Sequence, residues 1–187
     1  MLTVRKILAE DLSLIRPIAD RTLVSEEAHV VINRLGFQLN YLVLPKAEWR
    51  SFPAVDYADP LILTQDEGSA FYAAFMGDKY IGCAAVTMAP NGWADVIDLR
   101  VDASHRRQGA GRMLLDKCDH FARSRNLHGL RIACTDTNPA LCQFCEHTGF
   151  TLSGLDRMAL SRTPEERAKP VSRRTCLLFF YRTITER

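Results

Sequence analysis

The 187-residue chain is long enough for one domain with a substantial core, and we treat residues 1–187 as a single domain. Hydrophobic residues make up 47% and charged residues 25%, as in most globular proteins, and a formal net charge of +2 creates no field that would attract nucleic acid or a membrane. No apolar run approaches the roughly 20 residues that cross a bilayer, and the alternating N-terminus does not resemble a signal peptide, so we expect a cytoplasmic protein.

The first third of the chain predicts a strand, two helices and a long loop. Residues 2–6 alternate between apolar and polar side chains like a strand. Apolar residues at helical spacing follow from Glu10 to Ala19, and a second helix is predicted over about residues 26–42. Residues 45–60 carry three prolines and several aromatic residues, which is typical of a long loop, and loops of that length often serve function.

The rest of the chain predicts strands and helices that follow each other closely. Two apolar strands flank a hairpin turn at Gly77-Asp78. The predicted elements after that loop are strands 70–76, 80–88 and 94–101, a helix 109–124, a strand 130–134, a helix from Asn138-Pro139 to Gly149, a strand from Phe150, a polar connection 162–175 and a strand 176–183. The order β-α-α-β-β-β-α-β-α-β-β predicts one α/β domain with a mixed sheet.

The six cysteines lie mostly within apolar patterns, where a free thiol behaves as a small hydrophobic group. Cys142 and Cys145 form a C-x-x-C pair. No second pair stands at zinc-finger spacing, and the pair lacks the placement of a thioredoxin-like site. We therefore expect this pair to pack within a helix, and we expect no metal.

The most informative stretch runs from Val101 to Leu115, where an apolar strand ends, a basic turn follows and two glycines open a helix. The first N–H groups of a helix lack partners within it, and the helix dipole adds about half a positive charge there. Gly109 and Gly111 let a ligand approach the backbone closely. Three arginines add positive charge around the same turn: Arg106, Arg107 and Arg112. The stretch therefore predicts a site for a phosphorylated ligand.

The spacing of the glycines decides which phosphorylated ligand fits. Arg112-Met113-Leu114 follows Gly109-x-Gly111, so the third glycine of a dinucleotide-binding fingerprint is missing, and the sequence contains no P-loop. Coenzyme A best fits the order of strand, basic turn and glycine-started helix. The alternative is a basic, glycine-containing loop that only starts a helix.

Several motifs beyond this turn extend the pattern and carry a family resemblance. They are Asn126-Leu127-His128-Gly129-Leu130, Thr135-Asp136-Thr137-Asn138, Cys142-x-Phe144, Gly149-Phe150, Gly154-Leu155-Asp156-x-Met158 and Phe179-Phe180-Tyr181. Together with Arg106-x-x-Gly109-x-Gly111, they resemble the streptothricin N-acetyltransferase branch of the GNAT family over roughly residues 80–182. The resemblance implies a GNAT fold, whose central, mostly antiparallel sheet contains a splayed pair of parallel strands. It also implies acetyl-CoA as cosubstrate and acetyl transfer to a primary amine of a small molecule.

The same resemblance implies which residues hold the coenzyme. The strand around Leu99, Arg100 and Val101 would splay from its neighbour, commonly at a β-bulge, and its free backbone groups would pair with the pantetheine arm. Asn138 would contact the lower pantetheine, and it is also placed to cap the helix that it starts. The pyrophosphate would lie on the turn formed by Arg106, Arg107, Gln108, Gly109, Ala110, Gly111 and Arg112.

The implied reaction needs a proton acceptor, because an alkylammonium with a pKa of about 10 is almost wholly protonated at pH 7. Carboxylates near the acetyl end of the implied cleft would take that proton, directly or through water. Asp98, just before the expected bulge, is the first candidate, Asp95 is the second and Asp136 is the third. A strand N–H near Leu99 would stabilise the oxyanion.

One position departs from the family pattern. Most family members carry a tyrosine four residues before the Gly-Phe pair, and it is the expected proton donor to the leaving thiolate. This chain has Cys145 at that position. A cysteine thiol, with a pKa of about 8.5, can donate a proton but has a shorter reach, so Tyr181 or a water is the alternative donor. A covalent acetyl-Cys145 route is weaker, because His147 points elsewhere on the helix.

The sequence does not decide between several kinds of amine as the acceptor of the acetyl group. Streptothricins are polycationic, yet residues 45–67 are only moderately acidic, and residues 162–175 contain more basic than acidic side chains. A streptothricin-like or other antibiotic amine, another small amine, and a protein or peptide amine all stand as acceptors. A module that binds coenzyme A with little catalysis is a further reading, and a homodimer through the C-terminal strands stays open.

Overall fold

The computed structural model describes residues 1–19, 21–34, 36–52, 59–160 and 163–184, which divide into two compact units. The first comprises the described residues among 1–22, 51–131 and 183–184, and the second those among 23–50 and 132–182. In chain order the strands are β1 (Leu2–Lys6), β2 (Thr22–Asn33), β3 (Gly36–Arg50), β4 (Ser69–Met76), β5 (Lys79–Met88), β6 (Ala94–Val101), β7 (Gly129–Thr135), β8 (Thr151–Asp156) and β9 (Leu177–Thr183). The helices are α1 (Pro60–Gln65), α2 (Ala110–Ser124), α3 (Pro139–His147) and α4 (Pro164–Ala168), with 3₁₀ helices at Ala9–Leu14, Ala103–His105 and Val171–Arg173.

The first unit is built on a sheet with the strand order β1-β4-β5-β6-β7, the last strand contributing its first residues. β1 pairs with β4, β4 with β5 and β5 with β6, each in the antiparallel direction. β6 and β7 run parallel. A mostly antiparallel sheet with one parallel pair confirms the fold class that the sequence predicts. The β4–β5 hairpin also forms as predicted, with Gly77 at a φ of +59° in its turn.

Both faces of this sheet are covered within the first unit. α2 packs on β1, β4, β5 and β6, and it buries Leu114, Cys118, Phe121 and Ala122, the apolar face that its spacing predicts. Phe71, Ala73 and Phe75 alternate along β4 with residues of the α2 face, so they point the other way. There they form a core with Ile7, Leu63, Tyr80, Cys83 and Ala85, against which Leu12, Ile15, Ile18 and Ile97 pack.

A β-bulge distorts β6 where it pairs with β5. Ala85 lies opposite Asp98, whereas Val86 lies opposite Val96, so Ile97 is the extra residue. The resemblance implies a bulge just after Asp98, and the structure has it immediately before Asp98. A bulge of this kind generally bends the strand that carries it.

The second unit combines the two-stranded ribbon of β2 and β3 with the end of β7, β9 and β8, in that order. β8 and β9 are antiparallel, and β3 contacts β8. α3 fully buries Cys142 and Cys145, as the helix-packing interpretation predicts. The Sγ atoms of Cys134 and Cys142 lie 3.6 Å apart. All six cysteines of the chain are buried free thiols, which confirms their role as small hydrophobic groups.

The prediction of a second helix over residues 26–42 is wrong. The segment forms the β2–β3 ribbon, in which Val24 and Ala28, four positions apart, share the buried side. The predicted loop 45–60 is also partly wrong, because Pro45 and the following residues up to Arg50 continue β3. A ribbon of two strands tolerates a proline, since each strand has an unpaired edge. Residues 53–58 of that predicted loop lie outside the described residues.

Smaller differences concern two other segments. The first predicted helix is the shorter 3₁₀ helix Ala9–Leu14, after which Ile15 returns to an extended conformation. The polar connection 162–175 contains α4 and a 3₁₀ turn. The remaining predicted strands and helices are confirmed within two residues at each end. No helix in the described part of the chain is both long and apolar enough to cross a membrane. The single domain expected for residues 1–187 stays a prediction.

A methyl group at Gly82 would test how closely β5 approaches β6. A Cβ at Gly82 would lie 2.5 Å from the Arg100 carbonyl oxygen, a backbone atom that cannot swing aside. We expect Gly82→Ala to lower the free energy of unfolding, measured with urea, by about 1–3 kcal/mol, as overpacking does. Gly154→Ala is the control, because its Cβ would meet Phe179 at an ordinary 3.7 Å. Equal losses in the two variants would contradict the expected clash.

Candidate active site

The N-terminus of α2 presents backbone N–H groups that no side chain among the described residues caps. Gly109 precedes the helix with a φ of +91°, in the left-handed region that glycine enters readily. The first helical hydrogen bond runs from the Met113 N–H to the Gly109 carbonyl at 3.0 Å, and the first turn contains no acidic residue. By contrast, Asp59 caps α1 and Asn138 caps α3. The start of α2 is therefore a position where unpartnered amides and the helix dipole favour an anion.

Arg107 adopts a backbone conformation that residues other than glycine rarely take. Its φ is +62°, which costs an L-residue roughly 1–2 kcal/mol. Left-handed residues within a turn direct successive N–H groups to one side, the geometry that cradles anions. The side chains of Arg107, Gln108 and Arg112 are exposed, so their polar groups are accessible to a ligand.

Arg106 holds this turn in place through hydrogen bonds to other residues of the first unit. Its Nε donates to the Val101 carbonyl at 3.0 Å, and its Nη1 donates to the Thr22 hydroxyl at 2.6 Å. The guanidinium thus links the end of β6 to the segment at Thr22. Of the three arginines that the sequence singles out, Arg107 and Arg112 present their charge outward, whereas Arg106 also holds the turn in place.

Asp102 fixes the beginning of the same turn. Its carboxylate accepts hydrogen bonds from the Ser104 N–H at 3.0 Å and from the Ala19 N–H at 3.2 Å, and the Ala103 N–H donates to the Ala19 carbonyl at 2.9 Å. Hydrogen bonds, above all that from the Ser104 hydroxyl, hold the pKa of Asp102 well below its usual range. The turn is therefore preformed by contacts that the sequence alone does not reveal, because Ala19 is 83 residues away.

Asp98, the first predicted base, is engaged by a cation from its own strand. Arg100 donates from Nε to Oδ1 at 2.8 Å and from Nη2 to Oδ2 at 2.6 Å, and the Cys83 Sγ lies 3.7 Å from Oδ2. Burial raises the pKa of the Cys83 thiol to about 12, so this thiol is a donor at neutral pH. The Asp98 side chain is only 10% exposed. Its spacing of two from Arg100 places both on one strand face, a signal that was readable in the sequence.

Asp95, the second predicted base, is also paired. Arg131 of β7 donates from Nε to Oδ1 at 2.6 Å, and its Nη2 contacts Oδ2. This fork-shaped pair links β6 to the first residues of β7. The base roles of Asp98 and Asp95 stay predictions, and in both cases each carboxylate oxygen already accepts a hydrogen bond from an arginine.

Asp136, the third predicted base, belongs to the second unit, directly after β7. Its Oδ1 accepts from the Cys176 N–H at 3.0 Å. Burial raises the pKa of Asp136, and the hydrogen bond from Cys176 opposes that shift. Glu27 and His29 of β2 and Arg157 are the charged groups that act on it. No salt-bridge partner of Asp136 lies within 4 Å among the residues that the structure describes.

The second unit also contains Asn138 and Cys145. The Asn138 Oδ1 accepts from the Leu141 N–H at 3.2 Å, so the predicted cap is confirmed, and its Nδ2 has no partner among the described residues. Cys145 is fully buried and contacts Cys134, away from solvent. Its proposed role as proton donor stays a prediction. Within the described ranges, no three His, Cys, Asp or Glu side chains are grouped as a metal site.

One tyrosine that the sequence does not single out lies beside α3. Tyr41 of β3 donates its hydroxyl to Glu146 at 2.6 Å, and Gln143 contacts Glu26 of β2, so the ribbon and α3 are linked by two polar contacts. Burial and Glu146 raise the pKa of Tyr41. The residue pattern over 26–42 predicts a helix and so gives no signal for this tyrosine. Tyr181, the predicted alternative donor, lies half-buried on β9 opposite Thr151.

A comparison with known families identifies this arrangement. Residues 40–150 match the family model described as Acetyltransferase (GNAT) family. The matched range includes β6, the turn between β6 and α2, α2 itself, β7 and α3.

Two curated relatives are similar to part of the chain. Streptothricin acetyltransferase of Escherichia coli is 28% identical over 116 residues, which cover 62% of this chain and 64% of that protein. Streptothricin acetyltransferase A of Bacillus subtilis is 28% identical over 100 residues, or 54% of this chain and 58% of that protein. The chain thus aligns with less than two thirds of the length of either relative.

Solved structures share the fold over nearly the whole chain. One of them is a candidate streptothricin acetyltransferase from Bacillus anthracis, solved in complex with acetyl coenzyme A. It superimposes with a TM-score of 0.87 at 19% identity, and the superposition covers 98% of this chain and 100% of the Bacillus anthracis chain. Nourseothricin acetyltransferase gives a TM-score of 0.78 at 22% identity, covering 98% and 99% of the two chains. At these identities the likeness establishes the fold.

The Asp102 hydrogen bonds predict a pH-dependent contribution to stability. Because the pKa of Asp102 is lower in the folded state, its stabilisation is fully present above about pH 4 and is lost as the pH falls further. We expect Asp102→Asn to unfold at lower urea concentration at pH 7, with the difference from wild type narrowing toward pH 3. Asp116→Asn, an exposed position on α2, is the control and should match wild type throughout. A difference that stays constant with pH would contradict this account.

Proposed function

The chain belongs to the acetyltransferase (GNAT) family, and on that premise we propose that it transfers an acetyl group from acetyl-CoA to a primary amine of a small molecule. The observation that carries the proposal is the uncapped, glycine-started N-terminus of α2, with Arg107 and Arg112 exposed beside it. A diphosphate matches this set of donors, because it offers acceptor oxygens to several N–H groups at once.

Residues in each unit offer groups that match parts of the coenzyme. The amides of Ala110, Gly111 and Arg112 would hold the pyrophosphate. The strand segment Leu99, Arg100 and Val101, which follows the bulge, would pair with the pantetheine arm, and the free Nδ2 of Asn138 would donate to its lower part. The acetyl thioester supplies an activated acyl group, and the chain's own groups position it and move protons.

The reaction requires three tasks from the protein. A carboxylate accepts one proton of the acceptor ammonium, so that the neutral amine attacks the acetyl carbonyl. A backbone N–H near Leu99 stabilises the negative charge that develops on the carbonyl oxygen. The bond from carbon to sulfur breaks, and the second amine proton reaches the departing thiolate through a water or a tyrosine hydroxyl.

The acceptor that we propose is a streptothricin-like or similar antibiotic amine. The support is the likeness to streptothricin acetyltransferases in sequence and to nourseothricin acetyltransferase in fold. A second candidate function is a coenzyme A-binding module with little catalysis. Two observations favour it, namely the burial of Cys145 where a proton-donating tyrosine is expected and the arginine pairing of Asp98 and Asp95.

A thiol-release assay with acetyl-CoA and a panel of amines separates these functions. The panel contains streptothricin, kanamycin, spermidine, lysine and a short peptide with a free N-terminus. We expect turnover with streptothricin or another antibiotic amine at the highest kcat/KM. Tight binding of coenzyme A in calorimetry without turnover of any amine would favour the binding module, and fastest turnover of the peptide would favour a protein substrate.

Removing the exposed arginines tests the diphosphate position. We expect Arg107→Ala and Arg112→Ala each to weaken coenzyme A binding about tenfold, because each removes a charge-assisted hydrogen bond. Calorimetric titration measures this. Lys117→Ala, on the exposed face of the same helix, is the matched control for lost charge and should bind normally. With acetylpantetheine, which lacks the diphosphate, all four proteins should react at similar rates, and a loss there would refute the assignment.

A further inference from the structure

We propose, resting on the acetyl transfer proposed above, that Asp98 and Arg100 are positioning residues whose ion pair fixes the direction of the Leu99 N–H toward the acetyl carbonyl oxygen. The pair would act through the backbone of Leu99 and would touch neither substrate. This role differs from that of the base, for which Asp98 is the first candidate. All residues that carry the inference belong to the first unit.

The ion pair of Asp98 and Arg100 spans a single residue. Nε of Arg100 donates to Oδ1 of Asp98 at 2.8 Å, and Nη2 donates to Oδ2 at 2.6 Å. Side chains two positions apart on a strand lie on the same face, so the pair crosses Leu99 on one face of β6. A two-point contact between planar groups fixes geometry better than a single hydrogen bond does. The pair therefore restrains the peptide groups on both sides of Leu99.

This restraint lies where the ladder between β5 and β6 is irregular. Asp98 is opposite Ala85, and Ile97 immediately before it is the extra residue of the bulge. A bulge disrupts the ladder hydrogen bonds locally, so the backbone that follows needs another source of order. The contact between Asp98 and Arg100 supplies that order over the first three residues after the bulge.

The backbone N–H and carbonyl of Leu99 point away from β5. The Asp102 N–H donates to the Ile81 carbonyl at 2.8 Å, so these opposite residues form a hydrogen-bonded pair. In an antiparallel ladder, such pairs alternate with pairs that exchange no hydrogen bonds. The register is regular from there to Leu99 opposite Ala84, three positions along, so this pair exchanges none. The Leu99 N–H is thus directed to the side of β6 on which we propose the pantetheine arm.

A residue of β5 holds the ion pair from the neighbouring strand. Cys83 is opposite Arg100, and its Sγ lies 3.7 Å from Oδ2 of Asp98. Burial raises the pKa of the Cys83 thiol to about 12, so the thiol donates to the carboxylate at neutral pH. The Asp98 side chain is largely buried, and a buried carboxylate does not leave its partner without a large desolvation cost. The pair therefore keeps one geometry.

Stability alone does not account for a largely buried ion pair at this position. Removing two charges from water costs about as much free energy as their attraction returns, and apolar residues of comparable size are often equally stable there. Apolar residues cannot supply a directional two-point contact across Leu99. An apolar replacement of the pair therefore separates a positioning role from a structural one.

The positioned N–H would act on the charge that develops during attack. When the amine nitrogen bonds to the acetyl carbon, an electron pair of the carbonyl moves onto its oxygen, and it returns as the carbon–sulfur bond breaks. The donor is effective when it is already in place before the charge appears. Loss of such a donor lowers kcat about 100-fold to 1000-fold, and we expect a misdirected donor to lower it at least about tenfold.

Steady-state kinetics test the pair, using the panel amine with the highest kcat/KM. The variants are Asp98→Asn, Arg100→Gln and the double substitution Asp98→Leu/Arg100→Met, which replaces the ion pair with apolar side chains. We expect each to lower kcat at least about tenfold, with the KM of the amine and the affinity for coenzyme A changed less than about threefold. The acid limb of the pH profile should stay in place. Asp11→Asn, which breaks the exposed pair with Arg5, is the control and should match wild type.

Three kinetic outcomes would overturn the proposal. A wild-type kcat in Asp98→Leu/Arg100→Met would show that the Leu99 N–H needs no ion pair beside it. A wild-type kcat in Arg100→Gln, with loss of both rate and acid limb in Asp98→Asn, would show that Asp98 itself moves a proton. Losses that multiply in Asp98→Asn/Arg100→Gln would also contradict it, because residues that act as one unit are not additive.

Infrared spectroscopy of bound acetyl-CoA gives a readout that does not depend on turnover. A hydrogen bond from the Leu99 N–H lowers the stretching frequency of the thioester carbonyl, which carbon-13 in the acetyl group identifies. We expect the lowered frequency in wild type and in Asp11→Asn, and the frequency of free acetyl-CoA in the three variants of the pair. The same frequency in wild type and in these variants would overturn the proposal.

Failure of the inference and failure of the proposed function are distinguishable. Turnover by wild type, with kcat and carbonyl frequency unchanged in the variants of the pair, would overturn the positioning role alone. Absence of turnover on every amine, with a lowered carbonyl frequency that only these variants lose, would overturn the proposed acetyl transfer and support the positioning of the carbonyl. Absence of acetyl-CoA binding would overturn both.

Discussion

The structure depends on one electrostatic constraint, the set of backbone amides that α2 leaves without partners at its N-terminus. A helix normally satisfies these groups with a serine, threonine, aspartate or asparagine, as α1 and α3 do. Gly109 supplies no such side chain and instead takes a left-handed conformation that lets a ligand approach. The chain forgoes a stabilising cap at this position, and the proposed coenzyme would supply the missing acceptors.

The turn before α2 has its shape because of residues on both sides of it. Arg106 links it to Val101 and Thr22, and Asp102 links it to Ala19. These contacts hold Arg107 in a conformation that would be unfavourable in an unconstrained loop. A preformed turn binds an anion without first having to order itself, so less binding energy is lost as conformational entropy.

The sequence was sufficient to predict an element where the residues that determine it are close together in the chain. The glycine-started helix, the β4–β5 hairpin and the asparagine cap of α3 all follow from residues within a few positions of each other. The prediction from sequence failed for β2 and β3. The alternation of apolar and polar residues is irregular there, and contacts with residues distant in the chain decide which side chains are buried. The pairing of Arg100 with Asp98 was readable from their spacing. The pairing of Arg131 with Asp95 was not, because the two residues lie on different strands, 36 positions apart in the chain.

The buried state of the six thiols has a practical consequence for any chromogenic disulfide reagent applied to this protein. Such reagents attack accessible thiolates, and burial withholds the native side chains from solvent. Colour formed with folded protein would thus come from free coenzyme, while colour that grew slowly without any acyl donor would report unfolding. A single dye would in this way follow turnover when the acyl donor is present and denaturation when it is absent.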